Sequence, residues 1–303
     1  MHLRDALGLL GFASAGHPKG RRTVVGAPNR EQCSICSAVD GEPVRSLLSE
    51  TATTMPSRLT PAQVTDYQRD GYLLYREPVL PKGDFEALAA IYAEHRDARG
   101  SRRADELDTP HLADARLLDY LLSDAMLDLV SPIIGDDIGL FSSHFIAKEP
   151  RTGRPTPWHE DGAYWDGKFD RFDDLVTVWL AIEPSNRSNG CLRVIPGTHR
   201  NQEASVYEAI DAEANTFAEG ISGVDESRAV DFELEPNQAS LHHAKIIHGA
   251  DANAADTWRV GYAIRYYSQS MRYDPAKNPA SHKLFHARGR NVAGNPVANA
   301  AAH

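Results

Sequence analysis

IGLFSSHFIAK, residues 138–148, is the stretch at which this chain changes texture: apolar residues recur at helical spacing before it and at strand spacing after it. Downstream come DLVTVWLAIE (174–183), AVDFELE (229–235), ASLHHAKIIH (239–248) and WRVGYAIRYYS (258–268), with apolar and polar residues alternating. Turn-forming stretches such as SNRSNG (185–190) and IPGTH (195–199) separate them. Several short strands between Gly, Pro and Asn turns predict a jelly-roll barrel instead of a parallel sheet. The fold class is therefore mainly β with α additions, around a double-stranded β-helix, cupin-like core. Upstream, Thr60 has the chemistry of a helix N-cap, Pro61 suits the first turn, and AQVTDYQRDG runs to a stop at Gly71. YLLY (72–75) reads as a short strand. Helical spacing returns from Pro81 through Phe85, Leu88, Ala89, Ile91 and Tyr92, and again over 112–122 and 124–134, stopping at Gly135. These N-terminal helices are expected to pack outside the β core. Residues 201–228 interrupt the strands with an irregular or helical insert, and so long a connection is a candidate lid.

At 303 residues the chain is long enough for one catalytic domain, expected over 58–275, with a partly flexible C-terminal tail over 276–303. Residues 1–57 lack periodicity and are expected to be a disordered extension. Within the first 30 of them, the basic residues Arg4, Lys19, Arg21, Arg22 and Arg30, against the one acid Asp5, weakly resemble a transit peptide, and an over-long gene start before Met55 fits equally well. The balance of 32 basic to 42 acidic residues, a net charge of -10, argues against a nucleic-acid partner. No apolar run approaches the roughly 20 residues of a membrane span. Three cysteines, Cys33, Cys36 and Cys191, cannot build a disulfide framework and point to a reducing compartment. Cys33-x-x-Cys36 lacks the second pair or histidine cluster that a zinc site needs. A cytoplasmic protein, monomeric or homodimeric, without a membrane partner, is expected; the final NPVANAAAH is no peroxisomal signal of the serine-lysine-leucine type.

The chemistry concentrates in TPWHEDGAYW (156–165). In an extended segment side chains at i and i+2 leave on one face, so His159 and Asp161 can point at one ion while Glu160 points away. That spacing alone is weak in a chain with 13 histidines. His95-Arg96-Asp97 repeats it inside a predicted helix, where i and i+2 diverge, and reads as a solvated helix face. Weight comes from His248, at the end of a strand-like run, and from Arg259, eleven residues later at the start of the next strand. Two such strands can neighbour each other in a barrel. Two histidines and a carboxylate are the ligand set of a mononuclear non-haem Fe(II) site, and the planar fork of an arginine suits a carboxylate. Fe(II) with one carboxylate leaves +1, a bound dicarboxylate takes this to -1, and one arginine returns the buried site to neutrality.

At these residues the chain resembles the phytanoyl-CoA dioxygenase family of Fe(II)- and 2-oxoglutarate-dependent oxygenases, over roughly 59–275. The resemblance rests on LTPAQVTDYQRDGYLLYREPVL (59–80), SHFIAKEP (143–150), PWHEDGAYW (157–165), VTVWLAIEPSNRSNGCLRVIPGTHR (176–200) and LHHAKIIHGADANAADTWRVGYAIRY (241–266). It implies His159, Asp161 and His248 as catalytic iron ligands and Arg259 as the anchor of the distal carboxylate of 2-oxoglutarate. Trp179 matches a tryptophan that lines the co-substrate pocket, and His144 lies where relatives often contribute to the co-substrate or substrate pocket. A hydroxyl common two residues after the second histidine is replaced by Ala250. Candidates for lining the substrate are Lys148, Tyr164, Trp165, Gln238, Ser240 and His242; of the adjacent His242 and His243, only the former shares strand parity with His248.

The resemblance implies hydroxylation of an unactivated C–H bond of a small-molecule substrate with O2, coupled to conversion of 2-oxoglutarate to succinate and CO2, and ascorbate as an aid in vitro. Halogenating relatives replace the carboxylate of the triad by a small residue, so Asp161 argues for hydroxylation or a related desaturation or cyclisation. From another class, a non-catalytic jelly-roll protein could retain the metal site, but it would have no evident need for Arg259.

Overall fold

The computed structural model describes residues 58–300. The readings placed on residues 1–57, including Cys33-x-x-Cys36, and on residues 301–303 lie outside the described residues. Helix α1 (Pro61–Asp70) begins at a capping box: the Thr60 hydroxyl accepts from the Gln63 amide, and Gln63 Oε1 accepts from the Thr60 amide at 2.8 Å. It ends at Gly71, φ 82°, where a Cβ would also lie 2.4 Å from the His199 ring. After β1 (Tyr72–Tyr75) come α2 (Lys82–Asp97), β2 (Leu107–Asp108), α3 (Arg116–Leu121) and α4 (Asp124–Ile134). The strand region holds β3 (Ile138–Lys148), β4 (Thr156–His159), the short α5 (Asp161–Tyr164), β5 (Leu175–Ala181), β6 (Leu192–Val194), β7 (Tyr207–Ala209), β8 (Glu219–Ile221), β9 (Val230–Asp231), β10 (Ala239–His243), β11 (His248–Ala250), β12 (Arg259–Ser268), β13 (Leu284–Arg288) and β14 (Val297–Ala298).

The strands do not close into a barrel. Eight form a large sheet in the order β1-β10-β5-β12-β3-β13-β14, with β2 also on β3, and four form a second sheet, β4-β11-β6-β9. One face of the large sheet, with Phe145, Val176, Val178, Leu180, Tyr262, Ile264 and Tyr266, carries the main core. Against it pack Leu88 of α2, Leu117 and Leu121 of α3 and Met126, Leu127 and Val130 of α4, so the N-terminal helices lie outside the β core. Phe145 stacks on Tyr262 at 4.0 Å. The other face meets the small sheet: Tyr72 and Leu74 pack with Leu192, Val194, Phe232 and Ile246.

Three sequence expectations change here. ASLHHAKIIH, read as one strand, is two: a turn at Ala244 and Lys245 ends β10 in the large sheet and starts β11 in the small one. His248 therefore opens a strand of the small sheet, and β11 does not neighbour β12. The stretch after residue 275, expected as a tail, adds β13 and β14 to the large sheet, because Leu284 and Phe285 have core positions to fill at 1% and 0% exposure. The insert is neither helical nor wholly irregular, since β7 and β8 pair as an antiparallel ribbon.

Candidate metal centre and co-substrate pocket

His159 and His248 are direct cross-strand partners in the antiparallel pair of β4 and β11. Facing residues in such a pair project to the same side, which brings their rings to 4.0 Å between centroids. The chain stays extended through Glu160 and turns into α5 at Asp161, so the carboxylate swings onto the histidines. Asp161 Oδ1 lies 3.7 Å from His159 Nε2 and 3.9 Å from His248 Nε2. Among the described residues these three form the group able to hold a metal ion, with ligand atoms within 4.8 Å of one another and all three residues buried. Glu160 points away, as its spacing predicts, and its carboxylate accepts from Ser205 at 3.0 Å.

The donor set is prepared for a cation. Each histidine bonds a backbone carbonyl two residues upstream through Nδ1, His159 to Pro157 at 2.8 Å and His248 to Ile246 at 2.9 Å. A carbonyl can only accept, which puts the proton on Nδ1 and leaves the Nε2 lone pair for a metal. Burial, with the neighbouring His159, pushes His248 well below the ordinary histidine range and keeps it neutral. Burial would raise the Asp161 carboxyl, but the Arg265 guanidinium opposes it, and the group lies well below the ordinary carboxylate range and stays ionised.

Arg259 opens β12 beside Lys148 of β3 and is 2% exposed. Its Nε donates to Gly190 O at 3.1 Å and its Nη1 to Ile146 O at 3.0 Å, and its guanidinium carbon stands 5.4 Å from the Trp179 ring centroid. No carboxylate of the described residues pairs with it, and burial pulls its pKa down to about 10. A buried guanidinium without an internal anion fits a ligand carboxylate. Trp179 lies on the inner face with Ala181, Ala263, Ile146 and Leu74. Gly261 makes room for it: a Cβ there would stand 1.9 Å from the indole.

The remaining candidates divide. Lys148 is 1% exposed, donates to the carbonyls of Ala250 and Asp251, and is pushed well below the usual lysine range by burial and then by Arg259. Ser240 and His242 are buried on β10, and Ser240 Oγ and His242 Nδ1 have no hydrogen-bond partner among the described residues. His144 shares a row with Ala263 on β12 but turns its Nε2 to Asp105 O at 2.9 Å. Tyr164 is 40% exposed, 5.9 Å from the His159 ring, whereas Trp165 is buried against Phe141. Gln238 is not brought to the site: it braces the turn before β10, donating to Arg76 O and accepting from the Glu235 amide. The decoy is structural, since His95 pairs with Asp114 at 3.1 Å and is half-buried, not solvated.

The sequence model of phytanoyl-CoA dioxygenase matches residues 59–261. The chain belongs to the phytanoyl-CoA dioxygenase family. This family member is 25% identical to human peroxisomal phytanoyl-CoA dioxygenase, over 93% of this chain and 86% of the relative. It is 26% identical to a probable α-ketoglutarate-dependent hypophosphite dioxygenase of Stutzerimonas stutzeri, over 56% of this chain and 60% of the relative. Among solved structures, EvdO2 from Micromonospora carbonacea complexed with 2-oxoglutarate matches with a TM-score of 0.60 at 23% identity, over 73% of this chain and 95% of that one, a likeness of fold. No helix of the described residues is long and apolar enough to cross a membrane.

Four residues at the centre of this phytanoyl-CoA dioxygenase family member escaped the sequence reading. Thr177 donates to Asp161 Oδ2 at 3.3 Å, and Arg265 Nε lies 3.9 Å from the same oxygen. Both signals were present as parity, because Thr177 alternates with Trp179 and Arg265 with Arg259. Phe217, from the insert, packs on the His159 ring at 4.8 Å and on Tyr164 at 5.1 Å. Tyr207 of β7 accepts from the Glu160 amide at 3.0 Å. The insert thus covers the His159–Asp161 segment, and nothing in its periodicity announces this.

Proposed function

We propose that this chain is an Fe(II)- and 2-oxoglutarate-dependent dioxygenase that hydroxylates an unactivated C–H bond of a small molecule, releasing succinate and CO2. The observation that carries the reading is the buried triad of two histidines and an ionised aspartate, with an arginine, paired with no carboxylate of the described residues, on the same interior side of the large sheet. His159, Asp161 and His248 would hold the iron on one side, leaving positions for the 2-oxo acid and O2. Arg259 would take the distal carboxylate of 2-oxoglutarate, with Trp179 fixing its guanidinium from one side. When bound, iron and 2-oxoglutarate supply the oxidising power; the chain's residues bind, orient and exclude water. Asp161 occupies the position that a halide would need, which supports hydroxylation. Phe217 and Tyr207 lie over the triad segment and support a lid role for the insert. The substrates in the relatives' names, an acyl-CoA and hypophosphite, span very different sizes and do not choose one for this chain.

The test is succinate formation from 2-oxoglutarate by the full chain with Fe(II), ascorbate and O2, across candidate substrates. His159→Ala and Asp161→Ala are expected to abolish it. Arg259→Ala is expected to raise the 2-oxoglutarate requirement by about a hundredfold, the scale of a lost charged hydrogen bond. A wild-type protein that bound no iron and formed no succinate would falsify the reading.

A further inference from the structure

The charge count drawn from the sequence closes with one arginine, and the structure places a second on the same face. Register aligns His242, Thr177 and Arg265 as one row across β10, β5 and β12, and the Thr177 hydroxyl of that row bonds Asp161. The Arg265 side chain is 11% exposed, and its Nε is buried with no hydrogen-bond partner among the described residues. Its other guanidinium nitrogens also donate to no atom of the described residues. The oxygen it approaches, Asp161 Oδ2, is 3.9 Å away, beyond hydrogen-bond reach, and is taken by Thr177. The Trp165 ring lies 5.7 Å from the guanidinium carbon. Across Thr177, the buried Nδ1 of His242 is a second polar atom without a partner among the described residues.

On the reading of the site given above, Fe(II) contributes +2, Asp161 -1, Arg259 +1, Arg265 +1 and 2-oxoglutarate -2. The sum is +1, and any charge on Lys148 would add to it. Burying an uncompensated cation with unmet donors is costly, and a planar guanidinium is built to hold an oxyanion through two parallel hydrogen bonds. We infer that Arg265 anchors an anionic group of the substrate, a carboxylate or a phosphorus oxyanion, beside the iron, with His242 as a neighbouring polar partner. The metal-side carboxylate of 2-oxoglutarate has the same chemistry, but it is already counted in the sum and leaves the surplus in place.

The full chain reconstituted with Ni(II) and saturating 2-oxoglutarate tests this by calorimetric titration with acetate, methylphosphonate and the neutral acetamide. At least one anion is expected to bind at one site per chain, and acetamide not at all. Arg265→Gln is expected to weaken the anion about tenfold or more while 2-oxoglutarate affinity changes less than about twofold. Arg265→Lys keeps the charge without the fork and is expected to fall between, which provides a reading if the glutamine variant fails to fold. Absence of saturable anion binding in the wild type, or equal anion affinity in both variants, overturns the inference. A parallel fall in 2-oxoglutarate affinity also overturns it, because it assigns Arg265 to the co-substrate. If the wild type bound neither Ni(II) nor 2-oxoglutarate, the iron reading itself would fail and this inference with it.

Discussion

Asp161 has two oxygens in different surroundings. Oδ1 faces the histidines while Oδ2 accepts from Thr177 and lies by Arg265. A carboxylate fixed this way offers a metal one oxygen in one direction. Thr177→Val keeps the side-chain shape and removes the hydroxyl, so it should weaken metal binding about tenfold with little change in fold. Competition against a chelator measures this, and an unaltered metal dissociation constant would show that Thr177 does not position Asp161. Gly261 makes the complementary case, in which the required group is a hydrogen atom. Gly261→Ala drives a methyl into the Trp179 indole, so it should cost about 2 kcal/mol or more and shift the indole away from Arg259. A lower melting temperature together with weaker 2-oxoglutarate binding is the expected pair of results.

Elements were legible in the sequence where their ends are written in local chemistry. Thr60, Pro61 and Gly71 bound α1, and Gly135 stops α4, because caps and left-handed stops depend on a few adjacent residues. The corner in 239–248 was not legible. Apolar alternation runs straight through it, and only the pairing of β10 with β5 and of β11 with β4 separates the two strands. The same limit hid β13, a five-residue strand whose role depends on the uncovered edge of β3. Phe285 is fully buried there, 5.7 Å from the His111 ring, and Phe285→Ala should cost about 3–5 kcal/mol in urea unfolding. A cost near zero would mean that β13 is no part of the cooperative fold. In the site, His159, Asp161, His248 and Arg259 could be read as residue types in a fixed order. Arg265 shares strand parity with Arg259, but its significance depends on a carboxylate contributed by a distant strand end, which parity does not reveal.

The whole molecule carries a pH dependence set by histidines that burial keeps neutral. Burial lowers His242 to about 4 and His243 to about 3, both below the ordinary 6.5. The unfolded chain therefore takes up protons that the folded chain refuses, and stability is fully present above about pH 6.5 and lost as pH falls toward the folded values. Each histidine should remove about 2 kcal/mol between pH 7 and pH 5. Urea midpoints across that range measure the slope, and a pH-independent midpoint would show that both histidines are protonated at no cost in the folded state. The facing register of His159 and His248 has a further consequence. A metal held between partners on adjacent strands acts as a rivet through the small sheet, and its binding energy opposes any slip or parting of β4 from β11. Chelation should then quicken amide hydrogen exchange in β4, β6 and β11 ahead of β3, β5 and β12, making the small sheet the part of the fold whose lifetime reports whether the centre is filled.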